Sequence, residues 1–117
     1  MEELSIPIFK KIYDFYKEFY GYLKTFPRSD RYSLGQKCEH YILEILESII
    51  LASQLSKNEK LPILEKASLK LNVLRILIRL AKEIKALDNK KYLASQRRLD
   101  EIGRMLGGWI KSTRSPS

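Results

Sequence analysis

Basic side chains recur at helical spacing in the second half of the chain. Four lie seven residues apart, and three more lie upstream at i, i+4 and i+7. Seven residues are close to two helical turns, so each set forms a line along one helix face. Such lines of cations bind phosphates largely without regard to sequence, or contact an acidic protein face. The candidate partner-binding residues are therefore Arg75, Arg79 and Lys82 in one line and Lys90, Arg97, Arg104 and Lys111 in the other.

The alternative is that these lines are ordinary solvated charge. Like charges four residues apart, such as Arg75 and Arg79, repel by roughly a few tenths of a kcal/mol. Under this alternative, Glu44 and Glu47 of the second helix are the acids expected to compensate the upstream line. The sequence leaves both interpretations open.

Residue types suited to catalysis or metal binding are scarce. The chain has one cysteine, Cys38, and one histidine, His40, too few for an internal disulfide or for a metal site built from that pair alone. Cys38 falls on an apolar seam and is interpreted as a small buried hydrophobic residue, and His40 as a surface residue. The sequence contains no P-loop, Gly-x-Ser-x-Gly or Glu-x-x-His pattern. We therefore expect no enzymatic activity, no catalytic residue, no metal and no cofactor.

The net charge of +8 is distributed unevenly. Residues 1–56 hold seven Lys and Arg against eight Asp and Glu, a balance of −1. Residues 57–117 hold fifteen against six, a balance of +9. This asymmetry indicates a basic surface rather than general solubility charge, and the alternative is a solvated face of a mildly basic protein.

Neither a secretory signal nor a membrane span is expected. The amino terminus opens acidic, with no basic region ahead of an apolar run. The most apolar segment, 41–52, is interrupted by Glu44 and Glu47. Together with the single cysteine, these features predict a soluble, cytoplasmic protein.

Apolar periodicity predicts four helices, at about 7–25, 30–55, 61–87 and 89–112, in a single domain covering 1–117. Pro7 and Pro62 fit the first turns of helices 1 and 3, and Pro27 ends helix 1. The very short turn at Asp88 and Asn89 forces the last two helices to run antiparallel. The predicted fold class is all-α, an antiparallel up-down four-helix bundle.

Helix 1 is unusually aromatic, because eight of the twelve aromatic residues lie between Phe9 and Phe26. Aromatic side chains stack nucleic-acid bases in some proteins. Two adjacent apolar lines more simply indicate a helix that is buried over a wide arc, and we prefer that interpretation.

Helix 3 carries two apolar stripes, which is more apolar surface than one bundle can hide. The first stripe is Leu64, Ala67, Leu71, Leu74, Ile78 and Ala81, and the second is Leu69, Val73, Ile76, Leu80, Ile84 and Leu87. The second stripe predicts a homo-oligomer. Gly103, Gly107 and Gly108 of helix 4 predict a close approach of a neighbouring helix backbone.

Three segments carry a family resemblance that covers the chain in order. They are FPRSDRYSLGQKCEHYILEILESIILA (26–52), LIRLAKEIKAL (77–87) and LDEIGRMLGGWIKS (99–112). In these segments the chain resembles the accessory variability determinant (Avd) proteins of diversity-generating retroelements. The wider superfamily includes the four-helix-bundle proteins encoded in intervening sequences of bacterial 23S ribosomal RNA genes. Those proteins carry an Asn-Ile-Ala-Glu-Gly-like run at the end of helix 2, whereas this chain reads ESIILAS at 47–53, which favours the retroelement branch.

The resemblance implies a ring-like homopentamer with a basic surface. It also implies two kinds of partner. One is the reverse transcriptase of the same retroelement, and the other is RNA or DNA, namely the template RNA or the cDNA of mutagenic retrohoming. The alternative is a helical adaptor or structural oligomer with no nucleic-acid role. Salt-sensitive binding to nucleic acid separates the two hypotheses.

Overall fold

A computed structural model describes residues 7–115, and four long helices account for most of them. They are α1 (Pro7–Leu23), α2 (Gln36–Ser53), α3 (Lys57–Glu83) and α4 (Asn89–Arg114). A helical turn (Arg28–Asp30) and a five-residue π-helical segment (Arg31–Gly35) run directly into α2. The all-α class predicted from sequence is confirmed. The first six and last two residues of the predicted domain lie outside the described residues.

The helices pack in a cycle in which α1 contacts α2 and α4, and α3 contacts α2 and α4. Two contacts show how α3 and α4 run relative to each other: Arg75 pairs with Asp100, and the Lys82 ammonium lies over the Tyr92 ring. Residue number therefore falls in α4 as it rises in α3, which is the antiparallel arrangement predicted from the short turn.

Each helix buries one seam at helical spacing. On α1 the buried residues include Ile8, Ile12, Phe15 and Phe19, as their 4-3-4 spacing predicts. The neighbouring line on α1 is not buried as a whole: Phe9 and Tyr16 are half-buried, but Tyr13 and Tyr20 are exposed. The wide buried arc predicted for helix 1 is thus narrower than expected, and some of its aromatic rings face solvent.

The junction between α1 and α2 is tightly packed. A Cβ on Gly35 would lie 2.7 Å from Cδ2 of Leu23 and 3.4 Å from the carbonyl oxygen of Asp30. Only a glycine fits this close approach without moving its neighbours. The Arg31 side chain spans the junction by donating a hydrogen bond of 3.0 Å from Nη2 to the Lys24 carbonyl.

Helix α3 begins at Lys57, four residues earlier than predicted. Ser56 is the N-cap: its Oγ accepts a hydrogen bond from the Glu59 backbone N–H and donates one to the Glu59 carboxylate. Ser-x-x-Glu is the sequence signature of a capping box, although here the Glu59 carboxylate accepts from the Ser56 hydroxyl, and the polar character of 56–60 conceals this signature from an apolar periodicity search. Pro62 consequently lies inside the helix rather than in its first turn.

Helix α3 also ends at Glu83, earlier than the predicted Leu87. Lys85 has a φ of 66°, and the Ala86 N–H reaches back to the Ala81 carbonyl at 2.9 Å. With the bond from the Lys85 N–H to the Lys82 carbonyl at 3.0 Å, this is a Schellman motif. It reverses the chain, so that Ala86 and Leu87 are buried before Asp88 caps α4.

Between residues 7 and 115, none of the helices combines the length and the apolar character needed to cross a lipid bilayer.

Candidate nucleic-acid and partner interface

The predicted basic line on α4 faces away from the bundle core. Its four members, Lys90, Arg97, Arg104 and Lys111, are all exposed. Within residues 7–115, none of these four side chains is in an ion pair. At a rise of 1.5 Å per residue, the line extends over about 31 Å. We refer to these four residues as the α4 line.

Other basic residues of α4 contact neighbouring helices, two through ion pairs and one through an aromatic ring. Arg98 forms an ion pair of 2.9 Å with Glu18 of α1, and Arg114 pairs with Glu65 of α3. The Lys91 ammonium lies 5.6 Å from the centre of the Tyr22 ring. Position on the helix therefore divides the cations of α4 into a set that holds the bundle together and a set that faces solvent.

The three predicted residues of α3 have different environments. Arg79 is exposed and pairs with Glu83 of its own helix at 3.2 Å. Lys82 is exposed, with its ammonium 4.9 Å from the centre of the Tyr92 ring. Arg75 is only partly exposed and lies in the groove between α3 and α4.

Arg75 is held by α4 at two points. Its Nη1 donates to the Asp100 carboxylate at 2.9 Å, and its Nη2 donates to the Leu99 carbonyl at 3.1 Å. The compensating acid is therefore Asp100 rather than Glu44, which pairs with Lys70 and His40 instead. The compensation expected from α2 was wrong because the Arg75 guanidinium points toward α4.

Gly103 provides the space for this guanidinium. A Cβ at Gly103 would lie 2.4 Å from Nη2 of Arg75, so a side chain there would displace it. The glycine thus accommodates an arginine side chain rather than the helix backbone that was expected. Gly107 and Gly108 are exposed, and a Cβ at either would meet nothing within 4 Å.

The groove between α3 and α4 brings one residue of each predicted line together. Arg75 and Arg104 both line a cleft of about 310 Å³, alongside Ser68 and Asn72. Asp100 lines it as well and already binds Arg75. Arg104 is therefore the cation in this cleft that is available for an added anion.

The second apolar stripe of α3 is largely exposed. Leu69 is 63% exposed and Ile76 66%, while Leu80 and Ile84 are each exposed by more than two-fifths. Val73 is half-buried. Leu87, which the sequence placed on the same stripe, is instead buried by the Schellman turn. The remaining five residues form an apolar face that the described chain leaves largely uncovered, and we call it the α3 stripe: Leu69, Val73, Ile76, Leu80 and Ile84.

Cys38 and His40 have the environments expected from sequence. Cys38 is fully buried, and desolvation raises the pKa of its thiol to about 12, so the nucleophilic thiolate is disfavoured. The His40 imidazole is exposed and lies 3.3 Å from the Glu44 carboxylate. Across residues 7–115, no three His, Cys, Asp or Glu side chains cluster in a way that could hold a metal ion.

Comparison with known proteins agrees with the resemblance noted in the sequence. No curated protein matches the chain. The model of the family described as bAvd-like matches residues 6–113, which is most of the chain and includes the first three helices and all but the last residue of α4. The chain therefore belongs to the bAvd-like family of bacterial Avd proteins.

Proposed function

We propose that the protein is a non-catalytic accessory subunit of a diversity-generating retroelement. In this role it binds the element's reverse transcriptase and the template RNA or cDNA through its basic surface, in support of mutagenic retrohoming. Membership of the Avd-like family supports the accessory role, since Avd proteins are accessory proteins and not enzymes. The observation that carries the nucleic-acid role is the α4 line, four exposed cations without an acidic partner among residues 7–115.

The geometry of the α4 line suits a phosphate backbone. A length of about 31 Å corresponds to roughly nine base pairs at 3.4 Å per step. Each phosphate that a cation neutralises releases condensed counterions, which makes the affinity fall with salt. Contacts of this kind are independent of base sequence, so the choice of template is left to the reverse transcriptase.

Self-association would place several copies of this line on one particle. The α3 stripe provides an apolar face of about 22 Å in length, from Leu69 to Ile84. A second copy of the chain is the occupant that we propose for this face, in a ring-like homopentamer as the family resemblance implies. Repetition of the α4 line around a ring strengthens binding through multivalency without any new contact.

The test is binding to a structured RNA and to duplex DNA across a salt series, using protein of known assembly mass. The variant combines Arg97→Gln with Arg104→Gln. The matched control combines Lys17→Gln with Lys37→Gln, which removes the same charge from exposed positions on α1 and α2. We expect the parent and the control to give similar slopes of log affinity against log salt concentration. The α4 variant should lose about 1.8 from the magnitude of the slope on duplex DNA, about 0.9 for each lost phosphate contact.

Equal slopes for the α4 variant and the control would refute the α4 line as the contact surface. Absence of salt-sensitive binding by the parent would favour the helical adaptor with no nucleic-acid role. A pull-down with the reverse transcriptase of the same element tests the protein partner separately, because that contact does not depend on added nucleic acid.

A further inference from the structure

A second cleft lies on the other side of the bundle, between the end of α1 and the beginning of α2. It has a volume of about 330 Å³, which is near the lower end of the range for small-ligand sites, roughly 300–1,000 Å³. Its lining includes two tyrosines and two cations: Tyr20, Tyr32, Lys24 and Arg31. We call it the tyrosine cleft.

The two rings that line this cleft are open to solvent. Tyr20 is 55% exposed and Tyr32 is 58% exposed. Neither phenol hydroxyl makes a hydrogen bond within residues 7–115, whereas Tyr16 and Tyr22 of α1 both donate to glutamates. The Tyr20 ring makes an edge-to-face contact with the Tyr16 ring, with centroids 6.3 Å apart, but neither Tyr20 nor Tyr32 is a core residue or a hydrogen-bonding residue of the bundle.

Each open ring has a cation over it. The Lys24 ammonium lies 5.7 Å from the centre of the Tyr20 ring, and the Arg31 guanidinium carbon lies 6.0 Å from the centre of the Tyr32 ring. Neither cation forms an ion pair within the described part of the chain. Aromatic rings with adjacent unpaired cations are the elements of single-strand binding sites, where rings stack on bases and cations contact phosphates.

Arg31 uses few of its donors in the folded chain. Of its five N–H donors, one bonds to the Lys24 carbonyl, while Nε is buried with no acceptor among the described residues. That bond holds the Arg31 guanidinium against the Lys24 carbonyl, and both residues line the cleft. Glu39 is the carboxylate in the lining, and it accepts a hydrogen bond of 2.6 Å from the Tyr16 hydroxyl.

We propose that the tyrosine cleft binds a nucleotide of a single-stranded nucleic acid. The base displaces the cation that lies over Tyr20 or Tyr32 and stacks on that ring, and the displaced cation contacts the phosphate. The inference rests on the proposed nucleic-acid role. It adds a second contact surface, which stacks on a base as well as binding phosphate. Base faces are available in a single strand and are covered by stacking in a duplex, so the cleft selects unpaired segments.

The experiment compares two short fluorescein-labelled probes by anisotropy. One is an oligothymidylate, and the other is an abasic oligomer of the same length, with the same phosphates and no bases. The variants are Tyr20→Leu and Tyr32→Leu. The control is Tyr13→Leu, which removes a tyrosine of similar exposure on α1 from outside the cleft. Circular dichroism verifies that all three variants keep the helix content of the parent.

We expect at least one cleft variant, the one that lacks the stacking ring, to bind the oligothymidylate roughly 5- to 150-fold more weakly than the parent does, which is the effect of losing one base–aromatic stack. Affinity for the abasic oligomer should change by less than about twofold, because that probe has no base to stack. The Tyr13→Leu control should bind both probes as the parent does.

Three results would overturn the inference: parental affinity in both cleft variants, an equal loss on both probes, or no binding of either probe by the parent at low salt. The variant with Arg97→Gln and Arg104→Gln separates this failure from failure of the proposed function. If this α4 variant has a lower affinity for both probes while the cleft variants bind both as the parent does, the α4 line is supported and the tyrosine cleft is refuted. If the α4 variant binds both probes as the parent does while at least one cleft variant loses affinity for the oligothymidylate, the tyrosine cleft is supported and the α4 line is refuted.

Discussion

Substitution of Gly103 by alanine tests whether the guanidinium of Arg75 stabilises the packing of α3 against α4. The new Cβ would lie 2.4 Å from Nη2 of Arg75, well inside contact distance. Because Nη2 is at the end of a flexible side chain, the guanidinium can swing away at little steric cost. The expected consequence is loss of its bonds to the Leu99 carbonyl and the Asp100 carboxylate.

The sign of the effect is decided by one stabilising term and two destabilising terms. Replacing a helical glycine by alanine stabilises by about 0.5–1 kcal/mol. The bond from a charged donor to the Leu99 carbonyl contributes about 1.5 kcal/mol, the lower end of its usual range. The partly exposed ion pair with Asp100 adds about 0.5 kcal/mol. Gly103→Ala should therefore lower the free energy of unfolding by about 1 kcal/mol.

A glycine-to-alanine substitution should change the free energy of unfolding in the opposite direction where no other side chain occupies the space that the new Cβ needs. Gly107→Ala is the matched control, because a Cβ there meets nothing within 4 Å. It should raise the free energy of unfolding by about 0.5–1 kcal/mol. In an Arg75→Ala background, Gly103→Ala should become stabilising as well, and the difference between the two backgrounds measures the coupling.

Urea unfolding followed by circular dichroism at fixed protein concentration measures all of these variants. A loss of 1 kcal/mol corresponds to about 3 to 6 °C in Tm for a chain of this length. If Gly103→Ala stabilises the parent as much as Gly107→Ala does, the bonds of Arg75 contribute nothing measurable. The glycine would then have no role in holding α3 against α4.

Three further predictions follow from the helix ends, the apolar face and the buried thiol. Lys85→Gly should raise the free energy of unfolding by about 0.5–1 kcal/mol in urea, because Lys85 has a φ of 66°, whereas Lys85→Ala should not. Ile76→Asp places a charge on the α3 stripe and should shift the mass measured by light scattering to the single-chain value of 13.8 kDa, with Leu43→Asp on α2 as the control. An unchanged mass would exclude the α3 stripe as the subunit interface. Burial raises the pKa of the Cys38 thiol from 9.0 to about 12, so its contribution to stability is complete below pH 9 and is lost as the pH rises through about 12. Stability of the parent should fall more steeply over that window than stability of Cys38→Ala, and equal curves would contradict the burial of the thiol.

The core could be predicted from sequence because apolar periodicity reports directly on burial. The seams that include Phe15 on α1 and Leu74 on α3 are buried as predicted. The start of α3 was missed because its first turn is polar and carries no apolar period. The Ser56 and Glu59 pair was the available signal, since a capping box depends on residue type rather than on apolar spacing.

The state of each cation could not be predicted in the same way. Arg75 and Arg79 are four residues apart and both belong to the predicted line, yet one is bound by α4 and the other pairs within its own helix. Long side chains extend in several directions from one backbone position, so their partners depend on which helix is adjacent. The tyrosine cleft was missed for a related reason: Tyr20 and Tyr32 become neighbours only through the π-helical segment and the sharp turn before it.

The fixed guanidinium of Arg75 has a consequence for ligand binding in the groove between α3 and α4. An arginine side chain carries about 2 kcal/mol of rotamer entropy, part of which is lost when it grips a ligand. Arg75 is already ordered by Leu99 and Asp100, so an anion that reaches it meets a preorganised donor. Arg104 across the cleft is unconstrained and must be ordered on binding. An anion in this cleft would therefore meet uncompensated charge at Arg104, while Arg75, whose charge Asp100 already offsets, would offer only its remaining fixed N–H donors.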